Sequence, residues 1–320
     1  MNVSAPGKLF LAGEYGVLAG GPAVTLAVDR RVRTVPATLA RMDPLASECL
    51  AGAYVYLSAH GRMGPATLPA LDLSAHRAQG QKLGLGSSAA SAAVWVAASF
   101  AAAGLDVEPN RDAVFEVAWR AHTSAGGGSG ADVAAAVYGG AVAVTPAAPS
   151  GTHGALAPPE VEALDLDPGW MPVVVAGGRA VSSREVLARL EASPARDALL
   201  SRARAAGERL VAAMRGAPDE AAMGAVTAAA EAMVAVADAL DLGADGGRTV
   251  LERCQAIAAR YGGAAKPSGA AAGELCLVFL PRLDPKARAE LKAALRGSGL
   301  RILDVKMDSM GVETRGGSTP

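Results

Sequence analysis

The sequence predicts an α+β fold in two domains, and three observations support that prediction. Short apolar runs alternate with longer alanine-rich segments, which is typical of strands mixed with helices. The order of these segments is not a strict strand–helix–strand repeat, so a doubly wound parallel sheet is not favoured. A proline-rich stretch at 146–169 divides the 320 residues into two parts long enough to fold separately. We therefore expect domains at 1–160 and 161–320.

The first half is expected to begin with paired strands and to continue with helices. A Gly-Gly turn at 20–21 separates two alternating apolar runs, as in antiparallel strands. Long alanine-rich stretches without Pro or Gly favour helices. The predicted elements are strands at 8–12 and 23–28, helices at 44–59, 89–103 and 110–122, a short helix that contains residue 132, and a strand at 140–144. Residues 35–80 indicate little else.

The second half combines strands with a long helical region. Ala-rich segments between 195 and 260 predict three helices, broken near 216–218 and 241–247. The serines at 182–183 are suitable N-caps for a helix that begins there. The other predicted elements are a strand at 171–176, a strand at 275–280, a helix at 285–297 and a strand at 300–306.

Composition restricts the classes of partner. Lys plus Arg total 30 and Asp plus Glu total 31, so a net charge of −1 provides no long-range attraction for nucleic acid or an anionic membrane. The three cysteines are scattered without metal-ligand spacing, as in reduced cytoplasmic proteins. We expect a cytoplasmic protein without an export signal, a monomer or homodimer without nucleic-acid or membrane partners.

Residues 81–91 read QKLGLGSSAAS, a glycine-rich turn that leads directly into a nearly all-apolar helix. Glycine permits close approach of the backbone to a ligand, and the helix N-terminus attracts anions, so this loop predicts a phosphate cradle with Ser87 or Ser88 as N-cap. An ordinary capped loop is the competing interpretation. A Walker A loop is excluded because the lysine precedes the glycines, and a dinucleotide fingerprint because residues 77–82 are polar. The predicted nucleotide contacts are Lys82, Gly84, Leu85, Gly86, Ser87, Ser88 and Ala89.

A second glycine-rich loop, residues 124–130, leads into another small-residue helix with Asp132 in its first turn. Asp132 is either an acid favoured by the helix dipole or a general base or metal-linked carboxylate near the first loop. Lys8 and Glu14 lie at either end of the first apolar run, and each by itself indicates a surface charge. His122 is expected to be a structural histidine at a helix C-terminus.

Three glycine-rich segments in this order resemble the motifs of the GHMP kinase superfamily of small-molecule kinases. They are residues 4–8 (SAPGK) with 13–15 (GEY), residues 84–90 (GLGSSAA) and a loop at 262–274. The GEY tripeptide, Lys82 before the second motif and residues 265–270 (AKPSGA) are most similar to the phosphomevalonate kinase family. Where such families have GAGGGD, this chain has GAAAGE at 269–274, which departs from the pattern.

The resemblance implies a fold with a ribosomal-protein-S5-like N-terminal domain and a ferredoxin-like C-terminal domain. It implies ATP and Mg²⁺ as cofactors, a phosphorylated small acid as substrate, Lys8 and Asp132 as catalytic residues, and Ser87 or Ser88 as the metal contact. The substrate-binding residues that it suggests are Lys8, Glu14, Tyr15, Ser129, Gly130, Asp132, Ser182, Ser183, Arg184, Ser268, Gly269 and Ala270. The alternatives are a mevalonate kinase or another GHMP kinase, a diphosphomevalonate decarboxylase, and a non-catalytic nucleotide-binding homologue.

Overall fold

The computed structural model describes residues 2–78, 80–147, 157–177, 183–242, 247–269 and 274–315. The strands are β1 (Asn2–Ala12), β2 (Ala23–Thr38), β3 (Pro69–Asp72), β4 (Arg77–Ala78), β5 (Gln81–Lys82), β6 (Ala141–Thr145), β7 (Glu160–Leu164), β8 (Val173–Ala176), β9 (Ala264–Ser268), β10 (Leu275–Phe279), β11 (Arg301–Leu303) and β12 (Glu313–Arg315). The helices are α1 (Pro44–Ala59), α2 (Ser87–Ala102), α3 (Arg111–Ser124), α4 (Ala131–Tyr138), α5 (Ser183–Glu191), α6 (Arg196–Ala213), α7 (Glu220–Ala239), α8 (Gly247–Ala259) and α9 (Pro285–Gly297).

The mixture of helices and antiparallel strands confirms the predicted α+β class. Contacts divide the chain into two units, of which unit 1 contains Met1–Leu9, Thr25–Val161 and Lys306–Pro320, and unit 2 contains Phe10–Val24 and Glu162–Val305. The chain passes from unit 1 to unit 2 between Val161 and Glu162, one residue after the predicted domain boundary. The pattern of the sequence did not indicate that residues 10–24 join unit 2 or that the C-terminal segment joins unit 1.

Helix α2 is the centre of unit 1. All twelve residues from Ala89 to Phe100 are buried, because α1, α3 and α4 surround the helix. Alanine dominates this stretch, and its small side chain lets neighbouring helices approach closely while keeping a high helix propensity. The expected nearly all-round burial of this helix is therefore confirmed.

The sheet of unit 1 has the order β12-β1-β2-β6-β7, with β3 paired to β2. Strand β12 pairs antiparallel with β1, and Ser4 lies opposite Glu313. Arg31 of β2 fixes the C-terminal segment, since its guanidinium donates to a carboxylate oxygen of Asp308 and to the carbonyl of Gly311. The same group lies 3.2 Å from Glu313. Strand β1, which carries Lys8, is therefore held on both sides.

The sheet of unit 2 has the antiparallel order β11-β8-β10-β9. In its core, aliphatic residues of β8 and β10 pack against α8 and α9. Leu251 and Ile257 of α8 and Leu291 of α9 belong to this core. The three helices expected between 195 and 260 are confirmed as α6, α7 and α8. Helix α7 is long and apolar enough to cross a membrane by length and composition, but half of its apolar window is buried, and a soluble core helix meets the same criterion.

Candidate functional site

The glycine-rich loop turns into α2 through left-handed backbone at Gly84 (φ 71°) and Gly86 (φ 72°). Gly86, rather than Ser87 or Ser88, occupies the N-cap position, and no side chain accepts a capping hydrogen bond there. The prediction of a serine cap is therefore wrong. The chain needs a positive φ at the cap, which glycine adopts without the penalty that serine would incur.

Lys8 explains why position 86 is glycine. A Cβ at Gly86 would lie 2.9 Å from Cγ and 3.0 Å from Cε of Lys8, so the lysine stem lies directly against the loop backbone. The amide of Lys8 also donates to the carbonyl of Leu85 at 2.9 Å. Strand β1 and the loop are thereby fixed to each other, and the Lys8 side chain passes beside the start of α2.

Lys8 and Asp132 meet at this point, as the hypothesis of a shared site expects. The Lys8 Nζ lies 3.3 Å from Asp132 Oδ1, and the exposed fractions of the two side chains are 6% and 30%. The cation is thus buried, whereas the carboxylate is partly open to solvent. A buried ammonium costs free energy unless an opposite charge accompanies it, and Asp132 provides that charge.

Helix α4 repeats the design of α2. Its N-cap is Gly130 with φ 89°, again without a side-chain cap, and a Cβ there would lie 2.5 Å from the Trp119 ring. The first intrahelical donors are the amides of Ala90 in α2 and Ala134 in α4. The amides of 87–89 and 131–133 therefore lack intrahelical acceptors, which is the arrangement that favours an anion. Ser129 makes a long contact, 3.5 Å, from its Oγ to the Ala131 amide.

His122, in the last turn of α3, is a site residue that sequence reasoning assigned to structure alone. Its Nε2 lies 3.2 Å from Ser88 Oγ. Burial lowers the pKa of His122, the charge of Lys8 lowers it further, and the charge of Asp132 opposes both. We call Lys8, Gly86, Ser87, Ser88, His122 and Asp132 the phosphate-loop cluster. In the sequence, only the position of His122 ten residues before Asp132 connects it with the site, and nothing predicts its contact with Ser88.

The donor set fits both a phosphate and Mg²⁺. The two glycine-capped helix starts provide amides for phosphate oxygens, and a Cβ at position 86 would obstruct the loop. No group of three or more His, Cys, Asp or Glu suited to a metal occurs within the described residues. Mg²⁺ needs none, because it usually keeps several waters and takes one or two carboxylates together with substrate phosphates. Asp132 and the hydroxyls of Ser87 and Ser88 are ligands of that kind.

His76 lies beneath the loop and is fully buried. Its carbonyl accepts from the Leu83 amide at 3.0 Å, and a Cβ at Gly7 would lie 2.9 Å from its Cε1. Neither ring nitrogen has a hydrogen-bond partner in the described part of the chain. Burial lowers the pKa of His76 to about 4; the nearby backbone of Arg30 opposes this lowering, and the charge of Arg30 adds to it. The folded protein therefore requires a neutral imidazole here.

We expect the free energy of unfolding to fall as the pH decreases from about 6.5 to 4, because only the unfolded chain binds a proton at this position in that range. A lowering from 6.5 to about 4 corresponds to a loss of about 3 kcal/mol at the acid end, and above pH 6.5 the full stability is present. His76→Leu should remove this component in denaturant titrations at several pH values. His60→Gln, at an exposed histidine, is the control, and an equal change in both variants would contradict the assignment.

The remaining predicted contacts of this loop differ in exposure. Lys82 lies on β5 and is exposed, whereas Leu85 and Ala89 are buried and contribute backbone. Of the serine–arginine segment, Ser182 lies outside the described residues. Ser183 and Arg184 begin α5, and their side chains also lie outside the description.

A second group of predicted residues lies in unit 2, where Lys266 is completely buried. Its Nζ donates to Glu14 Oε1 at 2.5 Å and to the Pro267 carbonyl at 2.6 Å. Ser268 Oγ accepts from the Phe10 amide at 2.9 Å and donates to the Phe10 carbonyl at 3.1 Å. We call Phe10, Glu14, Lys266 and Ser268 the buried lysine cluster. It ties the end of β1 to β9.

The expected loop at 262–274 is therefore partly wrong. Residues Ala264–Ser268 form the fully buried strand β9, paired with β10. Pro267 is tolerated because β9 lies at the edge of its sheet, where the missing N–H breaks no ladder. Gly269 has φ 94°, which favours glycine, while Ala270 and the departing residues Ala271 and Ala272 lie outside the described residues.

Tyr15 is strained and buried. Its φ is 58°, uncommon for an aromatic residue, and its ring packs among aliphatic side chains that include Val186 and Leu190. Its hydroxyl has no hydrogen-bond partner among the described residues. Burial raises the pKa of Tyr15 far above its usual range, and the charges of Glu14 and Glu274 act in the same direction. Such strain is typical of positions that the surrounding structure over-determines, often near function.

Comparison with known proteins identifies relatives of this arrangement. Residues 50–140 match the family described as GHMP kinases N terminal domain. This range contains the glycine-rich loop, α2, α3 and α4 with Asp132. A search of curated proteins gives no match.

Solved structures match over nearly the whole chain. The Lin0012 protein from Listeria innocua has a TM-score of 0.79 at 20% identity, covering 99% of this chain and 100% of its own. Streptococcus pneumoniae phosphomevalonate kinase, in complex with phosphomevalonate and AMPPNP, has a TM-score of 0.77 at 19% identity, covering 96% and 99%. Methanococcus jannaschii mevalonate kinase has a TM-score of 0.65 at 15% identity, covering 96% and 98%. The predicted resemblance is therefore confirmed, because residues 50–140 match the GHMP kinase N-terminal domain and nearly the whole chain has a fold similar to those of phosphomevalonate and mevalonate kinases.

Proposed function

We propose that this protein is an ATP-dependent kinase that phosphorylates phosphomevalonate to diphosphomevalonate in the mevalonate route to isoprenoids. The observation that carries the proposal is the buried Lys8 ammonium, 3.3 Å from Asp132 at the start of the glycine-rich loop. A non-catalytic nucleotide binder has no need of this buried ion pair beside its phosphate loop. The fold shared with a phosphomevalonate kinase supports the choice of acceptor.

Phosphoryl transfer needs alignment and charge neutralisation more than covalent chemistry. The amides of 84–89 hold the phosphates of ATP, and the Lys8 ammonium stabilises negative charge that develops on the transferred group. The acceptor oxygen belongs to a phosphate whose second pKa is about 6, so it is mostly ionised at neutral pH. Asp132 then orients the acceptor and holds Lys8 in place, and it accepts whatever proton remains.

Mg²⁺, when bound, neutralises phosphate charge during transfer. Asp132 and a hydroxyl of Ser87 or Ser88 are the residues of this chain that would hold it, together with water and phosphate oxygens. Asp132, Ser87 and Ser88 lie in the first turns of α4 and α2, so their oxygens are close in sequence to the amides proposed to hold the phosphates.

The acceptor has a carboxylate and a phosphate at opposite ends, which calls for cations at both. Lys82, exposed at the mouth of the loop, and the segment Ser182–Ser183–Arg184 are proposed to bind the acceptor phosphate. Ser129, Gly130 and the segment Ser268–Gly269–Ala270 are proposed to contact the acceptor through backbone groups. Glu14 and Tyr15 are proposed to contribute to acceptor binding, Glu14 through its ion pair with Lys266. We further propose a cytoplasmic monomer or homodimer without nucleic-acid or membrane partners.

The test is ADP formation from Mg²⁺-ATP with mevalonate, phosphomevalonate and diphosphomevalonate in separate reactions, with CO₂ measured in parallel. ADP only with phosphomevalonate is the expected result. ADP only with mevalonate would reassign the acceptor and return Lys82 to a surface role. Release of CO₂ from diphosphomevalonate would indicate a decarboxylase, and ATP binding without turnover would indicate a non-catalytic homologue.

A further inference from the structure

The His122 ring packs against the backbone of Gly127. A Cβ at Gly127 would lie 2.1 Å from Nδ1 and 2.4 Å from Cε1 of His122, so the imidazole lies directly against the backbone of Gly127. The Gly127 amide also donates to the His122 carbonyl at 2.7 Å, which closes the chain around the ring. In this position the Nε2 of His122 faces Ser88 and lies 3.2 Å from its Oγ.

The surroundings of the His122 ring also determine which ring nitrogen carries a hydrogen. Nδ1 is buried and has no hydrogen-bond partner in the part of the chain that the structure describes. A buried N–H without an acceptor is rarer and costlier than an acceptor with unused capacity, so the neutral ring is favoured with a bare Nδ1 and a hydrogen on Nε2. A charged imidazole would carry a hydrogen on Nε2 as well. In either state the His122 Nε2–H donates to Ser88 Oγ.

This hydrogen bond divides the tasks of the two serines. Ser88 Oγ accepts from His122, so its own hydroxyl hydrogen is free to donate elsewhere, and an oxygen beside an N–H is a poorer cation ligand. Ser88 is the second residue of α2 and is exposed at the helix N-terminus, among amides that favour an anion. Ser87, which His122 does not contact in this way, retains its oxygen for a metal.

We propose that His122 is a positioning residue that turns Ser88 into a hydrogen-bond donor for a nucleotide phosphate and leaves Ser87 as the magnesium contact. The inference rests on the proposed function, which names Ser87 or Ser88 as the magnesium contact, and it assigns a separate role to each serine. It predicts that Ser88 and His122 act as one unit in binding phosphate, with or without magnesium.

The experiment measures the Kd for the non-hydrolysable analogue AMPPNP by calorimetry, once with Mg²⁺ and once with EDTA. His122→Phe and Ser88→Ala should each weaken binding by about fivefold, by the same factor in both conditions, as expected for one lost hydrogen bond. The double variant should bind no more weakly than Ser88→Ala. His122→Gln, which keeps an N–H donor, should recover most of the affinity. Ser87→Ala should lose affinity only with Mg²⁺, and circular dichroism confirms that each variant is folded.

Three outcomes would overturn the inference while leaving the kinase proposal intact. They are a loss in His122→Phe that appears only with Mg²⁺, a double variant with the product of both single losses, and unchanged binding in His122→Phe. If the unchanged protein binds AMPPNP in neither condition, the proposed function fails and this inference fails with it.

Discussion

Replacing Lys8 by methionine is expected to lower kcat by about a thousandfold and to change the Kd for ATP by less than about threefold. The methionine side chain keeps an unbranched stem against Gly86, where a Cβ would already approach Lys8 within 3.0 Å, so the loop geometry is retained. What disappears is the ammonium. Preorganised charge of this kind is typically worth two to three orders of magnitude in rate, because it acts on the transition state more than on the ground state.

The neighbouring carboxylate gives a second arm of the same prediction. Asp132→Asn is isosteric and should lower kcat by about a hundredfold or more, since it removes both the orienting charge and the partner of Lys8. The double variant Lys8→Met with Asp132→Asn should lose less than the product of the single losses, because each residue acts through the other. Steady-state kinetics at saturating ATP, together with calorimetric ATP affinities, measure these changes.

The control is Lys286→Met, which removes an exposed lysine in the first turn of α9. It should leave kcat and ATP affinity unchanged. Losses of equal size in kcat and in ATP affinity for Lys8→Met would show that Lys8 binds the nucleotide uniformly. In that case Lys8 would not be catalytic.

Local patterns were sufficient to predict most helices, and the family resemblance was sufficient to name the two residues of the ion pair. The predicted helix at 44–59 coincides with α1, since Asp43 caps it and Pro44 begins it as such patterns indicate. Lys8 and Asp132 could be named because the segments that contain them resemble motifs of the GHMP kinases. Their separation of 3.3 Å could not, because the distance depends on the packing of β1 against the loop.

The failures share one physical cause, which is contact between residues far apart in sequence. Ser87 and Ser88 resemble a helix cap, but the cap position needs a positive φ and its Cβ would meet the stem of Lys8, so Gly86 takes it. Residues 264–268 contain a proline and two alanines and suggest a loop, but pairing with β10 makes them a buried strand. His122 is unremarkable in sequence until the fold brings Ser88 to its Nε2.

Lys266→Met is expected to destabilise unit 2 by about 3–5 kcal/mol, the usual cost of leaving one member of a buried ion pair without its partner. Lys266 is 0% exposed and Glu14 is 7% exposed, so neither charge is solvated by water. The methionine leaves the Glu14 carboxylate buried without its ammonium, and the carbonyl of Pro267 loses a donor at 2.6 Å. Hydrogen exchange of the amides in β9 and β10 reports the loss, because that ladder lies within unit 2.

The matched control is another ion pair of the same unit, between Arg215 and Glu162. Its geometry is bidentate, with distances of 2.9 and 2.7 Å, but both side chains are about half exposed. Arg215→Met should therefore cost less than about 1 kcal/mol, as surface pairs usually do. A similar cost in both variants would contradict the role of burial.

Combining Lys266→Met with Glu14→Gln decides what Glu14 does. If Glu14 serves mainly to neutralise Lys266, the double variant should recover about 1–3 kcal/mol relative to the sum of the single losses, since no uncompensated charge remains buried. Glu14→Gln alone should then lower stability while leaving the KM for the acceptor unchanged in the folded fraction. A raised KM at unchanged stability would instead place the Glu14 carboxylate in contact with the acceptor. The two results differ because a group neutralised within the fold acts on the folded state as a whole, whereas a ligand contact acts only when the ligand is bound.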